Sequence, residues 1–149
     1  MIDQDTLLAE WEHDARLCKE DLTGETLRIA SLHPKYLRYL MEGKRAKAKV
    51  QNKYDQTLHV ITRYYQGLME KLEMDKLGLP YDPYNGAAKP LKSNMGPWIE
   101  NDRRMRKVVD ELTEIKDSLA AIEEIIGTIR WRHNAVKNIL ESKKFDAGY

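Results

Sequence analysis

The sequence predicts an all-α chain, in which a short N-terminal helix precedes a long antiparallel helical hairpin with coiled-coil-like packing. Three observations carry that expectation. No run alternates apolar and polar residues with the period of two that a half-buried strand needs. Two long segments instead repeat apolar residues in steps of three and four. Between them, residues 78–97 hold four prolines and three glycines, a composition that breaks helices and forms turns.

The elements follow in order within a single helical domain, 1–149. Over 1–24, Leu7 (or Leu8), Trp11, Ala15, Cys18 and Leu22 form one apolar stripe, and Thr23-Gly24 closes the helix. A second helix is expected over 34–77, starting at Pro34. Its seam reads Leu40, Gly43, Lys47, Val50, Tyr54, Thr57, Ile61, Tyr64 and Leu68, weakest at Gly43 and Lys47. The 78–97 loop forms the tip of the hairpin. The third helix is expected over 97–142, because Pro97 suits a first turn, where its missing N–H would be unpaired anyway. Met105, Val108, Leu112, Ile115, Leu119, Ile122, Ile126, Ile129, Val136 and Leu140 line it, with His133 as a polar interruption. A period near 3.5 keeps such a seam facing one partner. Gly127, inside it, should cost about 1 kcal/mol relative to alanine. A three-helix chain covers this stripe only in part, which predicts a homo-oligomer joined through Ile115, Leu119, Ile122, Ile126 and Ile129.

Charge is segregated although the formal net charge is only +1. Residues 1–25 carry eight acids and two bases, residues 35–63 eight bases and two acids, and residues 128–144 five bases and one acid. The molecule reads as an acidic end, a basic middle and a basic tail. The only cysteine, Cys18, allows no intrachain disulfide and favours a reducing compartment. No apolar run approaches the roughly 20 residues of a bilayer span. The start, MIDQDTLLAEW, lacks the basic n-region of a signal peptide. These features predict a cytoplasmic protein without a membrane partner.

The stretch GKRAKAKVQNKY, 43–54, has five bases and no acid. It is either a solvated helix face or a surface for phosphates. At ~100° per residue, Lys35, Arg38, Arg45, Lys49, Lys53 and Arg63 fall within about 80° of one another, whereas Lys44 and Lys47 point elsewhere. A face built only for solubility interleaves both signs, because i,i+4 pairs of opposite charge support a helix. A one-sided stripe suits a polyanion, and Tyr39 and Tyr64 flank its seamward edge. In the tail, Trp131 lies between Arg130 and Arg132, with Lys137 further on. That grouping either stacks on unpaired bases or packs on a neighbouring subunit.

Other clusters carry less. Glu10, His13 and Asp14 have no partner His or Cys at metal-ligand spacing and read as an exposed acidic face, so neither metal nor cofactor is expected. Cys18 reads as core. No phosphate-binding glycine loop or nucleophile elbow appears, which argues against an enzyme.

Four stretches taken together, LLAEWEHD (7–14), LHPKYLRYLM (32–41), RYYQG (63–67) and KKFDAGY (143–149), resemble the UvsY family of phage recombination mediators. The resemblance spans nearly the whole chain. It implies a non-enzymatic protein that binds single-stranded DNA and helps a RecA-type recombinase (UvsX-like) replace the phage single-strand binding protein. It implies ring-like homo-oligomers of six or seven subunits in the cytoplasm of the infected bacterial host. Tyr64, Tyr65 and Gly67 fall on the family's paired tyrosines and glycine, and Phe145, Asp146, Ala147 and Gly148 on its assembly signature. A lysine and an arginine that contact DNA just before the tyrosines are replaced here by His59-Val60-Ile61-Thr62, which moves the expected DNA site upstream to the stripe. The rival reading is a structural assembly protein whose basic stripe pairs with a neighbour's acidic helix.

Overall fold

The computed structural model describes residues 1–148, and every regular element among them is helical. The elements are α1 (Gln4–Asp14), α2 (Leu22–Tyr65), α3 (Lys71–Leu77), a 3-10 turn (Lys92–Asn94), α4 (Gly96–Glu100) and α5 (Arg103–Asp146). The chain divides into two compact units: Met1–Lys47 with the chain from Ile115 onward, and Ala48–Glu114. In each unit, a segment of α2 packs antiparallel on a segment of α5.

In the first unit, Gly43 of α2 meets Leu119 of α5. The core is aliphatic: Leu7, Ile29, Leu32, Ile122, Ile125, Ile126, Ile129 and Val136 enclose Tyr36. Asp3 starts α1 by accepting the Thr6 N–H at 2.9 Å. That helix stops at Asp14, well short of the expected 24, and Cys18 is exposed rather than core. Thr23-Gly24, expected as a stop, belongs to the first turn of α2. Asp21 accepts the Gly24 N–H at 2.9 Å, so the tract initiates a helix.

Pro34 does not begin α2; it lies inside it. Proline in a helix interior removes a hydrogen bond and costs ~3 kcal/mol. Ile29 and Leu32, buried just upstream, supply the packing that carries the helix through. Gly43 is not a weak point of the seam. It is buried, and a Cβ there would lie 2.7 Å from Leu119 Cδ2, so the missing side chain admits the facing leucine.

In the second unit the core is built from Ile61, Tyr64, Tyr65, Met69, Met74, Leu79, Tyr84 and Met105. The expected 34–77 helix is broken here, because α2 ends at Tyr65. Gly67 adopts φ +74°, and its N–H donates to Tyr64 O while the Leu68 N–H donates to Arg63 O. This left-handed cap closes the helix, and Leu68 leaves the seam for solvent. The same pair of bonds recurs at Gly78, which ends α3. The 78–97 tract is more than a loop, since it includes the 3-10 turn and buries Leu79, Tyr84 and Met95. Pro97 starts only the short α4; α5 begins at Arg103 and continues through 146.

The expectation of an incompletely covered heptad stripe changes accordingly. Leu119, Ile122, Ile126 and Ile129 are buried within the chain itself, and Ile115 is half-buried. Phe145, by contrast, is 82% exposed. No helix among the described residues is long and apolar enough to cross a membrane.

Candidate nucleic-acid interface

The predicted basic residues fall into two groups, those with an intramolecular carboxylate partner and those without. In the first unit, the acidic face of α1 lies on α2. Lys35 Nζ sits 2.7 Å from Asp14 Oδ2 and 3.1 Å from Glu10 Oε2. The hydroxyls of Tyr36 and Tyr39 donate to Asp14 and Glu10, both at 2.9 Å. Burial pushes the Asp14 carboxyl up, but the bonds from Lys35 and Tyr36 outweigh it and hold the group below the usual carboxylate range. The WEHD residues thus fasten one helix to another. Arg38 and Arg45 are exposed and make no ion pair among the described residues. Of the two lysines outside the stripe, Lys44 is exposed and Lys47 half-buried.

In the second unit, Lys49 is exposed and likewise without an ion pair among the described residues. Lys53 Nζ reaches both carboxylate oxygens of Glu111, at 3.0 and 2.8 Å. Arg63 forms a two-pronged pair with Glu73, at 2.9 and 3.2 Å. These pairs are solvent-accessible and worth only ~0–1 kcal/mol each, so a phosphate can replace the carboxylate at little cost.

Tyr64 does not edge a surface. It is fully buried, its hydroxyl donates to Pro80 O at 2.7 Å, and the Arg104 guanidinium lies 5.6 Å from its ring centre. Tyr65 is also core and donates to Asp102 Oδ2 at 2.8 Å. Asp102 in turn accepts the Arg104 N–H at 2.8 Å and two guanidinium N–H groups at 3.0 and 2.8 Å. Burial raises the Asp102 pKa, but the bonds from Arg104 and Tyr65 prevail and keep it ionised below the usual carboxylate range. Asp102 therefore caps α5 and ties its first turn to the end of α2.

In the tail, Arg130 and Lys137 are exposed and Trp131 is 75% exposed. Arg132 is separate from them: it donates to Ala15 O, and its guanidinium lies 5.2 Å from the Trp11 ring. His133, the polar break in the seam, points to solvent.

Residues 10–149 match the family model described as the recombination, repair and ssDNA binding protein UvsY. The chain belongs to the UvsY family. Its fold is similar to the crystal structure of the bacteriophage T4 recombination mediator protein UvsY, with a TM-score of 0.85 and 21% identity. That similarity covers 99% of this chain and 100% of the T4 chain. No curated protein matches the sequence.

Within this UvsY-family chain, the paired tyrosines and Gly67 are structural, supplying two buried hydroxyl anchors and a helix stop. At the position upstream of them, His59 is exposed while Ile61 is buried. A group that pattern reasoning misses lies at the start of α5, where Arg103, Arg104, Arg106 and Lys107 cluster beside the partly exposed Trp98. The run RRMRK carries four bases and no acid, but Met105 marks it as part of the apolar seam instead.

Proposed function

We propose that this chain binds single-stranded DNA without sequence specificity and acts as a recombination mediator. In this reading it helps a RecA-type, UvsX-like recombinase onto strands coated by the phage single-strand binding protein. It does so as a ring-like homo-oligomer of six or seven copies, in the cytoplasm of the infected bacterium. Family membership supports the mediator role. The observation that carries the DNA contact is that three cations of the projected stripe on α2 are exposed and make no ion pair among the described residues: Arg38 and Arg45 in one unit, Lys49 in the other. Lysines and arginines on a helix neutralise phosphates and release counterions without reading bases. Repeating them in every subunit multiplies weak contacts through high effective concentration. Arg130, Trp131 and Lys137 offer a further contact, and the exposed Phe145 is one apolar residue available for assembly.

The rival reading, a charge-satisfied scaffold, needs the α1 carboxylates to reach a neighbour's stripe. Glu10 and Asp14 already hold Lys35, Tyr36 and Tyr39 of their own chain, which favours the DNA reading.

Two double variants that remove equal charge test it. Arg45→Ala with Lys49→Ala should weaken binding to all oligonucleotide sequences alike, and the log–log salt dependence should become shallower by roughly 0.7 per lost phosphate contact. Lys44→Ala with Lys47→Ala should do distinctly less. Equal losses in fluorescence anisotropy would mean that net charge alone drives binding. No loss in either would return the stretch to the solvated-face reading.

A further inference from the structure

We infer that the cleft between Trp98 and Arg103 holds one unpaired nucleobase together with its phosphate, as a second single-strand contact separate from the α2 cations. The inference rests on the DNA-binding reading above. The cleft has a volume of about 470 Å³ and is lined by Tyr65, Pro97, Trp98, Asn101, Asp102 and Arg103. This lies within the ~300–1,000 Å³ of typical small-molecule sites. A second hollow of about 550 Å³ shares Asn101 and Arg103 and adds Arg104, Arg106 and Lys107. One side is thus aromatic and the other cationic.

The aromatic side is fixed in place. The Trp98 ring packs edge-on against Tyr84 at 5.1 Å between centroids and lies 6.4 Å from Tyr65. Tyr84 donates to Tyr65 O, and Tyr65 donates to Asp102. Even so, Trp98 remains 38% exposed. A rigid, partly open indole is a stacking platform, and stacking accepts any base because every base has a π-face.

The cationic side contributes little to holding the fold. Arg104 alone is committed, to Asp102. Arg106 meets only the neutral Asn101 Oδ1, at 2.9 Å, and neither Arg103 nor Lys107 has an ion pair among the described residues. Cations in a helix's first turn oppose its dipole, and the first turn of α5 contains no acid. The cluster therefore weakens the helix locally. The Asp102 charge, which would repel phosphate, is neutralised by Arg104. Only Asp110, at the rim of the second hollow, adds another carboxylate.

The test uses the full chain with Trp11→Phe and Trp131→Phe, so that Trp98 is the sole tryptophan and is excited selectively over the tyrosines. Oligo(dT) should quench its fluorescence, whereas an abasic strand of equal length should quench it far less. Trp98→Ala should reduce oligo(dT) affinity about tenfold and leave abasic binding nearly unchanged, and Trp98→Phe should recover most of the loss. Arg103→Ala with Lys107→Ala should weaken both ligands equally. If the parent binds oligo(dT) while Trp98 emission stays constant, this inference fails and the α2 reading stands. Equal quenching by dT and abasic strands removes the base from the cleft and also overturns it. Displacement of oligo(dT) by poly-glutamate, with equal quenching, would assign the cleft to an acidic protein partner instead. If the wild-type chain binds no oligo(dT) at all, the DNA reading itself fails.

Discussion

The two units solve the same packing problem by different means. In the first, isoleucines, leucines and valine from α1, α2 and α5 interlock around Tyr36, and polar bonds serve mainly to fasten α1. In the second, three buried tyrosines carry much of the core, and each hydroxyl has its own acceptor: Pro80 O, Asp102 and Tyr65 O. An aliphatic core needs only the right volume on the right face, whereas a tyrosine core also needs a partner at each hydroxyl. The first should tolerate conservative exchange, and the second should fail through single polar atoms.

The largest expected effect breaks the first unit. Ile122→Asp buries an unpaired carboxylate at a fully enclosed site and should cost about 4 kcal/mol or more in urea unfolding. Ile122→Val should cost only ~0.5–1.5 kcal/mol. In the second unit, Asp102→Ala removes a helix cap and leaves the Tyr65 hydroxyl unpaired, so a loss of about 2–4 kcal/mol is expected. That difference should depend on pH. The folded-state pKa of Asp102 is lowered, so its contribution is complete above the unfolded value of about 3.9 and disappears as pH falls through the folded value. Wild type and Asp102→Ala should therefore converge in strong acid, whereas Ile122→Val should keep its offset.

Two helical glycines of the first unit sharpen the comparison on a smaller scale. Gly43→Ala drives a methyl group to 2.7 Å from Leu119 Cδ2. Overpacking of ~1–3 kcal/mol should outweigh the gain of about 1 kcal/mol in helix propensity. Gly127 meets nothing within 4 Å of a built Cβ, so Gly127→Ala should stabilise by ~0.5–1 kcal/mol. Thermal melts of opposite sign for these two variants would confirm that the approach at Gly43 is specific.

The same contrast explains what is legible in the sequence. Steps of three and four locate the aliphatic seam, because periodicity reports which side of a helix avoids water. Periodicity carries no information about a hydroxyl's acceptor, so Tyr64 reads both as a seam position and as the edge of the basic stripe, and Asp102 gives no signal. Breaks are misread where one residue type serves two ends of a helix. Thr23-Gly24 reads as a stop until Asp21 is recognised as the cap of the following helix, and Gly67 reads as one turn of a longer helix until its left-handed backbone is seen. For the candidate interface, projection finds the exposed Arg38, Arg45 and Lys49. It does not show that Lys35, Lys53 and Arg63 have carboxylates within reach, since those come from α1, α5 and α3.

Those carboxylates have a consequence for how DNA binding is measured. Cations condensed on the nucleic acid are released as its phosphates are neutralised, which gives association its steep dependence on salt. Mobile anions shed by the protein's own cations add to it. Glu10 and Asp14 at Lys35, Glu111 at Lys53 and Glu73 at Arg63 are anions bonded to the chain and cannot diffuse away. A phosphate that replaces one of them sheds its own cations but frees no mobile anion from the protein. If phosphates bind at these three positions, the salt slope per contact should be shallower than at a free cation, and Glu111→Gln, by converting a tethered counterion into a free one, should make it steeper.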